Sequence, residues 1–299
     1  MKWARRRPAE DRVAVVKGHG TGNDFVLIPD PDGMHDISAA AAAAICDRRM
    51  GIGGDGVLRV VRSDRTPEGA DFGPHAPEWF MDYRNSDGSV AEMCGNGIRV
   101  FARFLVDAGL ASPGELEVLT RGGVYRVNLH AEGDVTVDMG RPNRDGYSAD
   151  VRVRLGSHEW LAEGLGLPNP HAVVVLDDLS VLPAELPPPE VAPAVMYPDG
   201  VNVEFVEIAE GVVPGQPHVR MRVHERGSGE TLSCGTGACA VGVVVAEHLG
   251  VPDGTPVQVD VPGGTLMISI DNLGRVHMSG PAVIVADGWI VPRWWRAHT

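Results

Sequence analysis

Two short segments of the chain place a cysteine beside glycines in the pattern Cys-Gly-x-Gly, at residues 94–97 and 234–237. An apolar stretch with helical spacing follows each segment, so Cys94 and Cys234 are predicted to lie at helix N-termini. Unpaired backbone N–H groups and the positive end of the helix dipole favour a thiolate there and also bind carboxylates. We therefore expect each loop to lower the pKa of its cysteine from about 8.5 toward neutrality and to bind an anionic group.

Two thiols on opposite sides of one carbon atom can invert that carbon. A thiolate removes a proton from one face while a thiol delivers a proton to the other, and neither a metal nor an organic cofactor is needed. The α-proton of an amino acid is a weak acid, so backbone N–H donors on the substrate carboxylate must stabilise the developing charge. Cys94 and Cys234 are thus the predicted acid/base pair, whereas Cys46 and Cys239 are expected to be buried core residues.

The cysteine loops belong to a repeat that spans most of the chain. Four pairs of landmarks are separated by one of two intervals: 146 residues for Asn23/Asn169 and Gly56/Asn202, and 140 residues for Asn85/Glu225 and Cys94/Cys234. Self-similarity at a fixed interval indicates a duplicated unit. The duplication predicts that the two thiols have nearly equivalent surroundings.

The order of predicted strands and helices indicates an α/β protein of the α+β type. We expect two pseudo-symmetric halves, each a mostly antiparallel sheet wrapped around one central helix, with the active site in a cleft between them. The halves are placed at residues 1–121 and 122–299. The C-terminal tail, residues 282–299, either stays with the second half or returns to pack on the first.

Three segments are predicted to lack regular structure. Residues 63–77 form a charged loop rich in proline and glycine, residues 142–160 an irregular stretch, and residues 182–198 a proline-dense surface connection. The glycine-rich segment 51–56 resembles a phosphate-binding loop. However, it precedes a strand instead of opening a helix, so a dinucleotide-binding interpretation fails.

Composition argues against several classes of protein. The net charge of −14 disfavours nucleic-acid binding. Four cysteines in 299 residues, with no C-x₂-C pair, are typical of free thiols in a reducing cytoplasm and not of a disulfide scaffold or a zinc site. No segment resembles a signal peptide or reaches the roughly 20 apolar residues of a membrane span, so a soluble protein is expected. Lys2 and Lys17 are the only lysines, which argues against pyridoxal phosphate as a cofactor.

Five segments resemble the diaminopimelate epimerase family, in the same order along the chain: residues 19–25, 85–89, 94–99, 169–171 and 225–239. The last segment is the most specific. The resemblance implies an isomerase that needs no pyridoxal phosphate and interconverts LL- and meso-diaminopimelate through two cysteines, in lysine and peptidoglycan biosynthesis. It implies a small amino-acid substrate and no nucleic-acid or membrane partner, and it is compatible with a cytoplasmic homodimer.

By this resemblance the site residues fall into three groups. Cys94 and Cys234 are the acid/base pair, and His171 and Glu225 tune the pKa values of the thiols. The substrate-binding group combines the backbone cradle of the carboxylate with side chains that contact the substrate: Asn23, Asn85, Gly95, Asn96, Asn169, Asn202, Glu225, Arg226, Gly235 and Thr236.

Some positions depart from the family or allow a plainer interpretation. Pro168 replaces the glycine that usually precedes Asn-Pro-His, and Gly56 replaces a glutamine that reaches the substrate in some members. Asn85 also suits a simple tight turn, and His171 a structural role. Arg226 also suits a surface ion pair with its neighbouring glutamate.

Two other functions stay open from the sequence. One is a related two-cysteine racemase or epimerase for proline or hydroxyproline, although the asparagines and Arg226 favour a substrate with a second amino-acid head group. The other is a thiol–disulfide redox protein in which Cys94 and Cys234 form a reversible bridge, although the chain lacks a C-x-x-C motif.

Overall fold

The computed structural model describes residues 12–129, 133–147, 150–213 and 216–299. The chain divides into two compact units: the first contains the described residues up to Val137 together with Pro281–Thr299, and the second is Asp138–Gly280. This division moves the sequence-based boundary from Arg121 to Val137, because the strands that follow Arg121 continue the sheet of the first unit. The C-terminal tail also belongs to the first unit.

The first unit is a sheet built around one long helix. With strands and helices numbered in chain order, its strands are β1 (Val13–Gly20), β2 (Asn23–Pro29), β3 (Gly56–Arg62), β4 (Trp79–Asn85), β5 (Gly114–Thr120), β6 (Gly123–Leu129), the first half of β7 (Val135–Gly140) and β18 (Val283–Ile290). Its helices are α1 (Ala39–Cys46), α2 (Pro67–Phe72), α3 (Gly95–Asp107) and α5 (Pro292–Trp295). Ser38 caps α1, since its side chain accepts a hydrogen bond from the Ala41 N–H.

Most strand pairs of the first unit are antiparallel. The order β18–β1–β2–β3–β4–β5–β6–β7 contains two parallel pairs, β2 with β3 and β4 with β5. Parallel neighbours need a crossover connection, and α1 and α3 lie in these two connections. The hairpin between β1 and β2 turns at Thr21 and Gly22, both with positive φ (49° and 81°). This is the backbone that a two-residue hairpin turn requires.

The second unit has a matching plan. Its strands are β8 (Val151–Leu155), β9 (His158–Gly166), β10 (Pro170–Leu176), β11 (Glu190–Ala192), β12 (Asn202–Val213), β13 (Gln216–Glu225), β14 (Gly229–Thr231), β15 (Val257–Val261), β16 (Gly264–Ile270) and β17 (Val276–Gly280), and its long helix is α4 (Gly235–Leu249). The parallel pairs are β10 with β12 and β13 with β15. They correspond to β2 with β3 and β4 with β5, so the repeat in the sequence is a repeat of topology.

The long helix of each unit is almost completely buried in its first turns. Every residue of α3 from Gly95 to Leu105 is buried, and in α4 every residue from Gly237 to Ala246 is buried. A helix that is surrounded on all sides belongs to the interior of its unit. Helix α3 contacts β1, β2, β3, β4, β6 and β18, while α4 contacts β10, β12, β13, β15, β16 and β17. The central helices predicted from the cysteine loops are therefore present in both units.

Three segments predicted to be irregular contain regular structure. Residues 63–77 include a 3₁₀ turn at Ser63–Arg65 and helix α2, whose N-cap is Thr66. Residues 142–160 contain β8 and the start of β9. The alternation of buried and exposed residues in β8 is a strand signal that the prediction missed. The proline-dense connection contains β11, and its Leu182, Leu186 and Tyr197 pack into the core of the second unit.

In the described part of the chain, no helix combines the length and the apolar character that crossing a bilayer demands.

Candidate active site

Cys94 is the N-cap residue of α3. Its backbone is extended (φ −139°, ψ 120°), and its sulfur accepts a hydrogen bond from the Gly97 N–H, with an N···S distance of 3.4 Å. A Cβ added to Gly97 would lie 3.3 Å from the Cβ of Cys94 and 3.3 Å from the side chain of Leu58. The glycine therefore keeps the first helical turn close to the sulfur.

Asn23 holds the Cys94 thiol from the other side. The thiol donates to Asn23 Oδ1 over 3.7 Å, and the Asn96 amide nitrogen donates to the same oxygen over 3.3 Å. The Asn23 amide nitrogen donates in turn to Asp55 Oδ2 at 2.7 Å. Because its nitrogen is engaged, Asn23 presents its amide oxygen to the sulfur of Cys94.

Asp55 belongs to a charged cluster that sequence reasoning missed. Its Oδ2 also accepts from the Asp24 N–H, and Arg48 bridges the carboxylates of Asp24 and Asp55. Lys17 binds Asp24 at 2.5 Å and the Gly53 carbonyl. Burial by itself would raise the pKa of Asp24, but the hydrogen bonds from Arg48 and Lys17 outweigh burial and hold that pKa well below its usual range. The glycine-rich segment 51–56 thus supplies a carboxylate to Asn23.

Arg99 is a second missed residue of the first unit. Its guanidinium is fully buried and donates to the Gly95 carbonyl (3.1 Å), to Thr21 Oγ1 (3.3 Å) and to the Pro281 carbonyl (3.4 Å). The Thr21 hydroxyl donates to Asn96 Oδ1. Arg99 consequently joins the β1–β2 turn to the cysteine loop. An arginine one turn into the helix, directly before an apolar stretch, is the sequence signal that identifies it.

In the first unit, the surroundings of Asn85 and Gly56 explain why these residue types occur at these two positions. Asn85 ends β4 and donates to Ser89 Oγ at 3.0 Å, so it closes a tight turn. Gly56 pairs with Phe25 and Asn85 in the sheet, and a Cβ added there would lie 2.6 Å from both the Arg84 carbonyl and the Tyr83 ring. A glutamine at position 56 does not fit this backbone, which accounts for the departure from the family.

Cys234 is the N-cap residue of α4, in the same backbone conformation as its counterpart (φ −115°, ψ 112°). Its sulfur accepts from the Gly237 N–H at 3.4 Å, lies 3.4 Å from Thr236 Oγ1, and receives the Asn202 amide nitrogen at 3.9 Å. The Arg226 N–H donates to Asn202 Oδ1 at 3.0 Å, which turns the amide nitrogen of Asn202 toward the sulfur.

The surroundings of Cys234 do not favour a thiolate. Burial raises the pKa of Cys234 well above its usual value, and the carboxylates of Glu225 and Glu204 raise it further. The hydrogen bonds from Thr236 and Gly237 oppose these effects without cancelling them. The prediction of a lowered pKa is therefore wrong for this cysteine, because desolvation and two acidic neighbours outweigh a helix N-terminus.

The pKa of Glu225 is raised as well. Burial raises its pKa, against the opposing effects of hydrogen bonds from Thr231 and Cys234. The Thr231 hydroxyl donates to Glu225 Oε1. Since Glu225 is engaged in this way and Arg226 forms no ion pair among the described residues, the surface-pair interpretation of Arg226 is wrong. The exposed Arg226 side chain instead borders a cavity of about 400 Å³ that is also lined by Tyr197 and His224.

His171 links Asn169 to a carboxyl group that sequence reasoning missed. Its Nδ1 lies 2.7 Å from Glu204 Oε1, and its Nε2 lies 3.1 Å from Asn169 Oδ1. His171 and Glu204 are both fully buried. Pro168 occupies a turn that is closed by a hydrogen bond from the Leu167 N–H to the Asn169 carbonyl.

Each unit gathers some of the predicted site residues around its cysteine. In the first unit, hydrogen bonds connect Cys94, Asn23 and Asn96, and Asn85 lies in a separate turn. In the second unit, contacts connect Cys234 with Asn202, Thr236 and Glu225. All four cysteines are free thiols.

Comparison with known proteins identifies the family. The model of the family described as "Diaminopimelate epimerase" matches residues 15–144 and 165–285. The chain is 55% identical over 288 residues to a diaminopimelate epimerase of Streptomyces coelicolor, covering 95% of this chain and 97% of the relative. The chain belongs to the diaminopimelate epimerase family. A diaminopimelate epimerase of Thermobifida fusca is 46% identical, covering 92% of this chain and 97% of the relative. The predicted family and the predicted isomerase class are confirmed.

Solved structures of other proteins share the fold. A phenazine biosynthesis protein of the PhzF family from Bacillus anthracis has a TM-score of 0.65 at 14% identity and covers 94% of this chain and 99% of its own. A hydroxyproline epimerase from Agrobacterium vitis has a TM-score of 0.63 at 13% identity and covers 97% and 94%. These likenesses confirm the predicted α+β class.

Proposed function

We propose that this protein interconverts LL- and meso-diaminopimelate by proton transfer at the α-carbon, with Cys94 and Cys234 as the acid/base pair. The observation that carries the proposal is the equivalent position of the two cysteines. Each is the N-cap of the buried central helix of its unit, and each accepts a hydrogen bond from the glycine three residues later. Membership of the diaminopimelate epimerase family supports this substrate over proline or hydroxyproline, since the likeness to the hydroxyproline epimerase is one of fold alone.

In the reaction, one sulfur takes the α-proton and the other returns a proton to the opposite face of the carbanion. Because the raised pKa of Cys234 keeps it protonated, it is the proton donor in one direction, and Cys94 is then the base. Removal of the α-proton leaves Cys94 as a thiol, and delivery of a proton to the opposite face leaves Cys234 as a thiolate, so the reverse direction begins with the roles exchanged. The proposal requires both sulfurs to reach one α-carbon in the substrate complex.

The other predicted residues bind and orient the substrate. The backbone N–H groups of the two cysteine loops bind the carboxylate beside the reacting carbon, where they stabilise the developing negative charge. Arg226 binds a carboxylate at the second amino-acid head group through two parallel hydrogen bonds. The complete set is the one given by the family resemblance: Asn23, Asn85, Gly95, Asn96, Asn169, Asn202, Glu225, Arg226, Gly235 and Thr236, with His171 and Glu225 acting on the thiols.

Separate replacement of the two cysteines tests the proposal. Cys94→Ala and Cys234→Ala are each expected to reduce isomerisation of LL-diaminopimelate by about 10²–10⁴-fold, the usual contribution of one general acid or base. Solvent deuterium uptake at the α-carbon is measured in parallel with diaminopimelate and with L-proline. Cys46→Ala is the matched control, because Cys46 is a buried thiol whose pKa burial raises to about 11. Full turnover in either single variant, or exchange with proline alone, would contradict the proposal.

The proposal also covers the cellular location and the oligomeric state of the protein. We place the protein in the cytoplasm, as an enzyme of lysine and peptidoglycan biosynthesis, and as a homodimer formed through β18. This strand pairs with β1 on one side, and it exposes Val283 and Val285, with Val291 just beyond it. Exposed valines on a strand at the edge of a sheet suit pairing with a second copy of the chain. Sedimentation velocity of the wild type and of Val285→Lys tests this, and a monomeric wild type would contradict it.

A further inference from the structure

The repeat brings a buried acid into one unit and leaves an aliphatic side chain in the other. With the interval of 146 residues, His171 corresponds to Phe25 and Glu204 to Leu58. The sheet register agrees, since Phe25 pairs with Gly56 as His171 pairs with Asn202. All four side chains are fully buried. A second apolar pair would fill the same space without desolvating a carboxyl group, so the polar pair calls for a functional explanation.

Glu204 approaches the cysteine loop closely. A Cβ added to Gly237 would lie 2.6 Å from Glu204 Oε1, whereas a Cβ on the equivalent Gly97 meets Leu58 at 3.3 Å. Gly237 therefore makes room for the carboxyl group beneath the first turn of α4. The second oxygen, Oε2, is buried and has no hydrogen-bond partner among the described residues. One oxygen alone fixes the carboxyl group, through His171.

The contacts of His171 determine the number of protons that the pair holds. Nε2 faces Asn169 Oδ1, an acceptor, so Nε2 carries a proton. Nδ1 faces a carboxyl oxygen at 2.7 Å, so a second proton lies between them, on the ring or on the carboxyl group. In either arrangement the pair holds two protons and has no net charge. A neutral pair is the form in which a fully buried carboxyl group is tolerated.

We propose that Glu204 is a positioning residue for the reaction at Cys234. It holds the His171 ring so that Nε2–H donates to Asn169 Oδ1, and this hydrogen bond directs the Asn169 amide nitrogen away from the ring toward the substrate. The kinetic part of the inference rests on the proposed function, in which Asn169 binds the substrate. The proton count does not depend on it.

Nitrogen-15 NMR of histidine-labelled protein tests the proton count. The His171 signals are assigned by their loss in His171→Gln, and the chemical shift of Nε2 reports whether that nitrogen is protonated. We expect a protonated Nε2 in the wild type at neutral pH. An unprotonated Nε2 would overturn the inference, because His171 would then accept from Asn169 and the amide would point the other way.

Kinetics of three variants test the positioning role. Glu204→Leu copies the first unit and leaves Nδ1 without a partner, so we expect the KM for diaminopimelate to rise about tenfold, as for the loss of one buried hydrogen bond. Glu204→Gln retains a donor for Nδ1, so its KM should be at least about threefold below that of Glu204→Leu. Glu207→Gln is the matched control on the same strand, since Glu207 binds the Leu179 N–H and Arg220, and its KM should be unchanged.

The two proposals fail in different ways. A Glu204→Leu enzyme with unchanged KM, or a Glu204→Gln enzyme as impaired as Glu204→Leu, would overturn the positioning role. If Glu204→Leu does not fold, the Gln variant and the Nε2 measurement on the wild type still decide the question. If the wild type does not act on diaminopimelate at all, the proposed function fails, while the NMR measurement still tests the His171–Glu204 pair.

Discussion

The two cysteine loops have the same backbone and opposite surroundings. Cys94 and Cys234 both cap a central helix and both accept from a glycine N–H. Cys94 contacts the amide oxygen of Asn23, and Asn23 in turn contacts a cluster of charged residues that includes Asp55 and the exposed Arg48. Around Cys234 the contacts are an amide nitrogen and two acids, the fully buried Glu204 and the half-buried Glu225. The duplication thus preserved the geometry of the loop, while a few side chains at equivalent positions made the two thiols chemically different.

This difference corrects the expectation that the thiols have nearly equivalent surroundings. The equivalent pairs Phe25/His171 and Leu58/Glu204 exchange apolar for ionisable groups without changing the strands that carry them. A racemising enzyme has to work in both directions, but its two acid/base groups need not be alike before the substrate binds.

The largest effect on stability is expected at Arg99. The residue at the equivalent position of the second unit, 140 residues later, is Cys239, so Arg99→Cys gives the first unit the residue of the second. Arg99→Cys removes the donor that serves Thr21 and two backbone carbonyls, so we expect the free energy of unfolding to fall by about 3 kcal/mol, measured by urea denaturation. Arg126→Cys is the control, because Arg126 is an exposed member of an ion pair and should change stability by less than about 1 kcal/mol. An equal effect of the two variants would contradict the buried role of Arg99.

The next effect concerns the acids near Cys234. Glu225→Gln removes a negative charge that raises the pKa of Cys234, so that pKa should fall. At a fixed pH below the thiol pKa, alkylation of Cys234 should then become faster, by about tenfold for each pKa unit. The rates are measured by mass spectrometry in the Cys94→Ala background, with Glu247→Gln as an exposed control on α4. In the parent protein the rate should still be rising with pH above 9, and a plateau near neutrality would contradict the raised pKa.

The third prediction tests the anchor of Asn23. Asp55→Ala leaves the Asn23 amide nitrogen without its carboxylate, so the amide oxygen is no longer held toward Cys94. We expect kcat/KM to fall about tenfold with little loss of stability, measured by steady-state kinetics and thermal unfolding. Asp64→Ala, at an exposed carboxylate of the same unit, is the control and should have normal kinetics. Unchanged kcat/KM in Asp55→Ala would show that Asn23 does not need this anchor.

The smallest effect is expected in the pH dependence of stability. The folded-state pKa of Asp24 is lowered, so its contribution is present above the unfolded pKa of about 4 and is lost as the pH falls through the folded value. Asp24→Asn should therefore destabilise the protein by about 1 kcal/mol at neutral pH, because its partner Arg48 is largely exposed. The difference from wild type should shrink as the pH falls below 4. A constant difference over that range would contradict the assignment.

Local features of the fold were predictable from the sequence. Glycines after each cysteine and an apolar helical stretch are contained within about fifteen residues, and the helix starts follow from them. The strand at 151–155 was missed although its alternation of buried and exposed residues is a local signal and its partner β9 follows directly. The strand at 190–192 was missed because it is short, lies in a proline-dense segment and pairs with β8, far back in the chain. Pairing between distant segments, rather than local propensity, decides such elements.

By itself, the sequence determined the family, the duplication, the two cysteine-capped helices and the set of residues proposed to bind the substrate. Only the tertiary structure decided how each thiol is perturbed. Glu204 lies thirty residues before Cys234, and Asp55 acts on Cys94 through Asn23, so neither effect is visible in the spacing of a motif. A pKa depends on burial and on the distance to other charges, and the folded chain alone sets both.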